Sequence, residues 1–183
     1  MRRILFVLVL LAASVLVWGQ GYQPKPGETI LKLSVANRGD IYIQLHTAEA
    51  PNATSQIARL VEDQFYDRQT FYRVDKEPVP FLIQTGDPQS KELDPDDPEL
   101  GSGGSGNTVA YEDSGFPSVA GAVGLATQYQ DPDSGDSQFF ILLSDKPYLA
   151  RNYTIFGKVV AGMDVVRQVE RGDRIESAVI LRG

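Results

Sequence analysis

The chain has 183 residues, 42% apolar and 22% charged, enough for one domain with a sizeable core. A formal net charge of −7 argues against a nucleic-acid partner, which would require a basic face. With no cysteine and a single histidine, disulfides and thiolate metal sites are excluded, and any metal site would rest on carboxylates.

Met1-Arg2-Arg3 followed by the apolar run Ile4–Val17 has the basic n-region and h-region of a secretory signal, and is too short for a comfortable membrane span. Cleavage before Gln20 predicts a signal peptide over 1–19 and an exported protein, periplasmic or extracellular; an uncleaved membrane anchor is the alternative. Residues 20–28, rich in Pro and Gly, predict a short tether to a domain over 29–183. Ile30–Val35 and Ile41–Leu45 alternate apolar and polar residues around Asn37-Arg38-Gly39-Asp40, which predicts a hairpin. A helix follows, with Pro51 in its first turn and Ile57, Leu60, Val61 and Gln64 along one stripe.

Phe71-Tyr72-Arg73-Val74 and Phe81-Leu82-Ile83-Gln84-Thr85-Gly86-Asp87 flank a loop containing Pro78 and Pro80, and predict adjacent strands. Each run carries one polar residue that a core strand would not choose, Arg73 and Gln84. If the strands pair, both project from one face beside Phe81. A fixed cation, an amide and an aromatic ring together suit gripping a neutral peptide better than attacking a bond. The plainer alternative is an exposed Arg and Gln on half-buried strands.

The acidic, Pro-rich stretch Glu92–Glu99 runs into Gly101-Ser102-Gly103-Gly104-Ser105-Gly106. Neither side holds enough strands to close its own core, so a long surface loop within one domain is expected, either functional or mobile. Ala122–Ala126, Ser137–Leu143, Tyr153–Val160 and Ile175–Leu181 predict further strands, and Met163–Val169 a brief helix with Val165, Val166 and Val169 inward. On the strand at Ser137–Leu143, Gln138 and Phe140 share one face and Phe139 takes the other. The fold class expected is mainly β, an eight-stranded antiparallel closed barrel capped by two α-helices.

Other chemistry is poorly supported. His46, the only histidine, has no Gly-x-Ser-x-Gly elbow to serve, so a surface histidine is the better reading. Asp131–Asp136 departs from a calcium loop: its glycine stands one place early and Leu142 occupies the final ligand position. The Gly-Ser loop lacks the Lys-Ser/Thr ending of a phosphate-binding loop. Asn52-Ala53-Thr54 and Asn152-Tyr153-Thr154 fit the glycosylation pattern, but three-residue patterns arise often by chance.

From Ile30 to the C-terminus the chain resembles the cyclophilins, the cyclosporin-binding family of prolyl isomerases. The resemblance rests on Phe71-Tyr72-Arg73, Phe81–Asp87, Gly121–Ala126, Ser137–Ile141 and Phe156-Gly157-Lys158-Val159, all in order. It implies the eight-stranded barrel with two helices and a peptide groove on its outer face. By position, Arg73 matches the family's catalytic arginine and Gln84 an amide that works beside it. Phe81, Leu82, Phe140 and Leu149 match the walls of the proline pocket, Gln138 a second amide contact, and Ala126 and Thr127 the groove for residues preceding proline. Tyr148 and Tyr153 stand where many members carry Trp and His, and are carried over as substrate contacts. The loop Asp75–Pro80 is longer than is common in the family. The implied activity is peptidyl-prolyl cis-trans isomerisation without metal or cofactor, acting on proline-containing peptides and unfolded chains, by a protein expected to be a monomer that assists the folding of exported proteins. A non-catalytic proline-peptide binder or holdase on the same fold is the alternative.

Overall fold

Alternating apolar residues build the first hairpin. Strands β1 (Thr29–Val35) and β2 (Gly39–Leu45) pair antiparallel, from Ile30 opposite Gln44 to Val35 opposite Gly39. Asn37 takes the left-handed conformation in the turn, with φ of 59°, which Asn tolerates better than most residues. These elements belong to a computed structural model that describes residues 21–183; the expected signal peptide lies outside the described residues. Residues 21–28, expected as a tether, lie against the sheet: the Tyr22 ring sits 5.9 Å from that of Tyr42, and Gly183 N–H donates to Glu28 O at 3.1 Å.

Helix α1 (Pro51–Glu62) places Pro at its first turn, where the missing N–H costs nothing. Its own N-cap residue, Ala50, offers no side-chain acceptor. Glu112, from the distant long loop, supplies one, accepting from the backbone N–H of Asn52 at 3.0 Å and of Ala53 at 2.9 Å. Ala53, Ile57, Leu60 and Val61 form the buried stripe. Gln64, expected on that stripe, is instead exposed at φ 56° beyond the helix. Its N–H bonds back to Val61 O and that of Phe65 to Leu60 O, a Schellman stop that turns the chain before another helical residue can be added.

Strands β3 (Arg73–Asp75), β4 (Leu82–Thr85), β5 (Ala122–Leu125), β6 (Phe139–Leu142), β7 (Ile155–Ala161) and β8 (Ile175–Arg182) complete one antiparallel sheet. The spatial order is β3-β4-β6-β5-β7-β2-β1-β8. α2 (Met163–Gln168) packs on β2, with Val165 and Val166 buried and Val169 just past its end also buried.

The expected closed barrel is therefore an open half-barrel, because edge strands β3 and β8 share no ladder. The reason lies in the chain before β3. Arg68–Phe71 crosses the gap, touching the start of β8 through the single bridge Thr70–Arg174 and the bonds Ile175 N–H to Gln69 O and Phe71 N–H to Asp173 O. Phe71, expected to begin the strand, is fully buried as a core plug, so the ladder starts only at Arg73.

Period-two alternation splits the apolar residues between two faces. The inner face carries the main core, including Ile43, Ile57, Tyr66, Phe71, Ile83, Phe139 and Phe156. Tyr66 meets Phe139 edge to face at 5.5 Å, and its hydroxyl donates to Ser137 O at 2.9 Å, so the largest buried tyrosine leaves no polar atom unpaired. A smaller cluster of Leu82, Ala122, Phe140, Leu142, Leu149 and Ile155 forms on the outer face. That second cluster is the foundation of the site.

Candidate active site

The register dictates which side chains meet outside the sheet. Arg73 lies opposite Gln84 on β3–β4, Gln84 opposite Phe140 on β4–β6, and Phe140 opposite Gly124 on β5–β6. These four positions make one row across three ladders, all on the outer face. Phe140 fills the space that Gly124 leaves empty: a Cβ there would come within 2.3 Å of the ring's Cζ. Phe140 itself is only 3% exposed.

Above this row is a cleft of about 210 Å³. Leu82, Phe140 and Leu149 form its apolar bed, and Phe81 and Tyr153 border it. The Tyr153 ring stands edge to face on Phe140, with centroids 5.4 Å apart and planes at 89°. Arg73 and Gln84 line it from the β3–β4 side, and Ala126 and Thr127 line it just past the end of β5. Of the eleven residues carried over by position, nine meet here. Gln138 lines an adjoining hollow of about 310 Å³ that shares Gln84, Ala126 and Thr127 with the cleft. Tyr148, in the short 3-10 turn Pro147–Arg151, is 62% exposed and outside the lining, so the structure does not bring it to the site; its neighbour Leu149 turns inward instead.

The Arg73 guanidinium is held from several sides. Its Nε donates to Asp75 Oδ2 at 2.8 Å, and its Nη2 lies 2.7 Å from the same oxygen. Nη1 donates to Gln84 Oε1 at 3.4 Å. Its Cζ lies 5.8 Å from the centre of the Phe81 ring, and Lys146 Nζ lies 5.5 Å from it. Asp75 shares the face of Arg73 because the two are separated by one residue on a strand. The ion pair is half exposed and contributes orientation more than stability.

Behind Gln84 is a polar cluster that the sequence alone did not mark. The Tyr72 hydroxyl accepts from Gln84 Nε2 and donates to Gln138 Oε1. Burial pushes the Tyr72 phenol well above its ordinary value, so it stays a neutral donor. The Gly-Ser loop is held as well. Buried Asp87 accepts from the N–H groups of Gly101 and Gly103 at 2.6 and 3.1 Å, and Asp136 accepts from Gly106 N–H at 2.9 Å and from the Ser105 hydroxyl. Asp131 and Asp133, weighed as calcium ligands, bond backbone instead: Asp131 accepts from Asp133 N–H at 3.2 Å and Asp133 from Tyr111 N–H at 2.9 Å. His46 is not a free surface residue. Its ring stacks on Phe116 at 3.6 Å, and burial lowers its pKa.

Tyr72, Asp75, Gly124 and Lys146 are the neighbours of the site that sequence reasoning missed. Only Asp75 left a usable signal, an acid one residue removed from an arginine on a predicted strand.

The site is thus an apolar cleft on the outside of an antiparallel half-barrel, with a guanidinium at its lip. The family model described as "Cyclophilin type peptidyl-prolyl cis-trans isomerase/CLD" matches residues 30–182, and the chain belongs to that family of enzymes. It is 39% identical over 155 residues to a probable peptidyl-prolyl cis-trans isomerase of Brucella suis, covering 82% of this chain and 75% of that one. It is 33% identical over 134 residues to peptidyl-prolyl cis-trans isomerase B of Bacillus subtilis, covering 73% and 85%. Among solved structures, a Cryptosporidium parvum cyclophilin-type isomerase crystallised in the presence of the dipeptide Ala-Pro superposes with a TM-score of 0.71 at 24% identity. That match covers 84% of this chain and 99% of the other.

Proposed function

We propose that this isomerase works through Arg73 as a transition-state donor, with Gln84 beside it, and that its substrates are X–Pro bonds in exported chains. The observation that carries the reading is the position of Arg73: its Nη1 end lies over the β3–β4 pair, beside Gln84 and the apolar cleft.

Rotation about a peptide bond costs about 18–20 kcal/mol because amide resonance is lost. The isomers of an X–Pro bond lie within about 1 kcal/mol of each other, so the barrier and not the equilibrium is the obstacle. At the twisted transition state the proline nitrogen regains a lone pair, and it carries no N–H of its own. A guanidinium can donate to that lone pair only while resonance is broken, so the interaction favours the transition state over both ground states. Leu82, Phe140 and Leu149 grip the ring, and Ala126 and Thr127, just past the end of β5, take the residues before it. One side is held while the other turns. A preorganised donor of this kind is worth about 2.7–4 kcal/mol, or roughly 10²–10³ in rate.

The test is isomerisation of short X–Pro peptides by the native protein and by Arg73→Ala. Loss of about 10²-fold in kcat with peptide binding retained supports the reading. Binding without turnover by the native protein supports the non-catalytic holdase instead. The basic start and apolar run Ile4–Val17 support export through a signal peptide, with folding assistance to other exported chains as the role. Intact mass of secreted material retaining that run would overturn the cleaved-signal reading.

A further inference from the structure

We propose that Tyr72 is a positioning residue for Arg73, acting through Gln84, and that the carbonyls of Gly101 and Gly103 set the direction of the hydrogen-bond chain that joins them. This inference rests on Arg73 being the donor to the proline nitrogen.

The chain has six bonds. Arg73 Nη1 donates to Gln84 Oε1 at 3.4 Å. Gln84 Nε2 donates to the Tyr72 hydroxyl and, at 3.1 Å, to Gln138 Oε1. The Tyr72 hydroxyl donates to the same Gln138 oxygen. Gln138 Nε2 donates to Gly101 O at 3.0 Å and to Gly103 O at 2.6 Å. Both ends are chemically fixed. A guanidinium can only donate, and a backbone carbonyl can only accept. Two amides whose oxygen and nitrogen would otherwise be interchangeable are therefore each held in one orientation. Reversing Gln138 would turn its oxygen on two carbonyls. Reversing Gln84 would turn its NH₂ on the guanidinium.

Tyr72 is the link that makes the arrangement stiff. Its ring is 7% exposed, and its hydroxyl touches both amides, so neither can swing without breaking a bond to it. The loop end is equally well held. The same two glycines that offer carbonyls to Gln138 give their N–H groups to Asp87, which is fully buried. Gly101 has φ of +99°, which favours glycine, and a Cβ on Gly103 would lie 2.3 Å from Asp87 Oδ1, so a larger residue there would displace the carboxylate. The acidic Gly-Ser excursion thus has a task. It presents two acceptors at fixed positions, and their direction is passed through Gln138, Tyr72 and Gln84 to the guanidinium at the lip of the cleft.

The experiment measures kcat, KM and thermal unfolding for the full protein and for Tyr72→Phe, Gln84→Ala, the double variant and Arg73→Ala, with an X–Pro peptide as substrate. Tyr72→Phe keeps the ring and removes only the hydroxyl. The expected result is a fall of about three- to tenfold in kcat, the range of one net hydrogen bond, with KM held and the unfolding midpoint lowered only modestly, the protein remaining folded at the assay temperature. In the Gln84→Ala background the same substitution is expected to cost nothing further, because its route to Arg73 is gone. A native kcat in Tyr72→Phe, or an equal loss with and without Gln84, overturns the inference while a large loss in Arg73→Ala leaves the donor reading standing. A native rate in Arg73→Ala overturns the donor reading and this inference with it.

Discussion

Gly124→Ala is the most informative single methyl that can be added to this protein. Gly124 lies opposite Phe140 on β5–β6, and its backbone does not use the left-handed region, so alanine brings no conformational penalty of its own. The whole effect must come from the new Cβ. It would stand 2.3, 2.8 and 2.9 Å from three atoms of the Phe140 ring. Ordinary contact begins near 3.4 Å, so the ring must retreat by about 1 Å or the strands must part. Retreat is hindered by Leu82, Leu149 and Ile155 in the same cluster and by Tyr153 edge-on at 5.4 Å.

Overpacking of this kind costs about 1–3 kcal/mol, which urea unfolding resolves as a lower midpoint with an unchanged slope. The functional cost is expected to be larger than the loss of stability, because Phe140 forms the bed on which the proline ring is proposed to rest. Displacing a positioning surface by about 1 Å can cost 10²-fold in turnover. The assay is kcat/KM for an X–Pro peptide at a temperature where the variant remains folded. A variant that keeps native stability and native kcat/KM would refute the reasoning, since it would mean that Phe140 has free room on the outer face.

Three further outcomes follow from the same contacts. Glu112→Gln is expected to lower stability by about 0.5–2 kcal/mol with little change in kcat/KM per folded molecule, because it weakens a cap on α1 and touches nothing in the cleft; thermal unfolding and activity measured together check this. Asp87→Ala leaves the N–H groups of Gly101 and Gly103 without their acceptor, so limited proteolysis is expected to cut within residues 92–106 faster than in the native protein. His46 has its pKa lowered by burial below its ordinary 6.5, so the unfolded chain takes up the proton first. Its share of stability is full above 6.5 and is lost as pH falls through the folded value, and His46→Gln is expected to flatten that part of the stability–pH curve.

The parts of the molecule legible in the sequence are those encoded by local period. Alternation along Ser137–Leu143 separated Phe139 from Phe140, and the structure sends the first to the core and the second to the cleft. The two odd polar residues on neighbouring strands, Arg73 and Gln84, do face each other across a ladder. What was not legible depends on contacts between distant segments. Glu112 caps a helix some sixty residues before it in the chain, and no local pattern marks it. Barrel closure was misjudged for a similar reason: Phe71 has the composition of a strand residue, but its side chain is needed to fill the core where β3 and β8 fail to meet. Tyr148 was matched to the family by position alone, and position does not report which way a side chain points from a 3-10 turn: here it is 62% exposed and outside the cleft lining.

That failure of β3 and β8 to pair bears on the site. β3 is an edge strand of three residues, bonded on one side only, and it carries the guanidinium on which the chemistry is proposed to depend. An edge strand so short has few backbone bonds to hold its side chains in place. The compensation is lateral: Asp75 takes one edge of the guanidinium, Gln84 receives the other, and behind Gln84 stand Tyr72, Gln138 and two loop carbonyls. The ladder fixes the apolar bed, while side-chain and loop bonds fix the cation. Substitutions in the bed are therefore expected to disturb binding and stability together, whereas substitutions in the polar chain are expected to lower turnover with the fold intact.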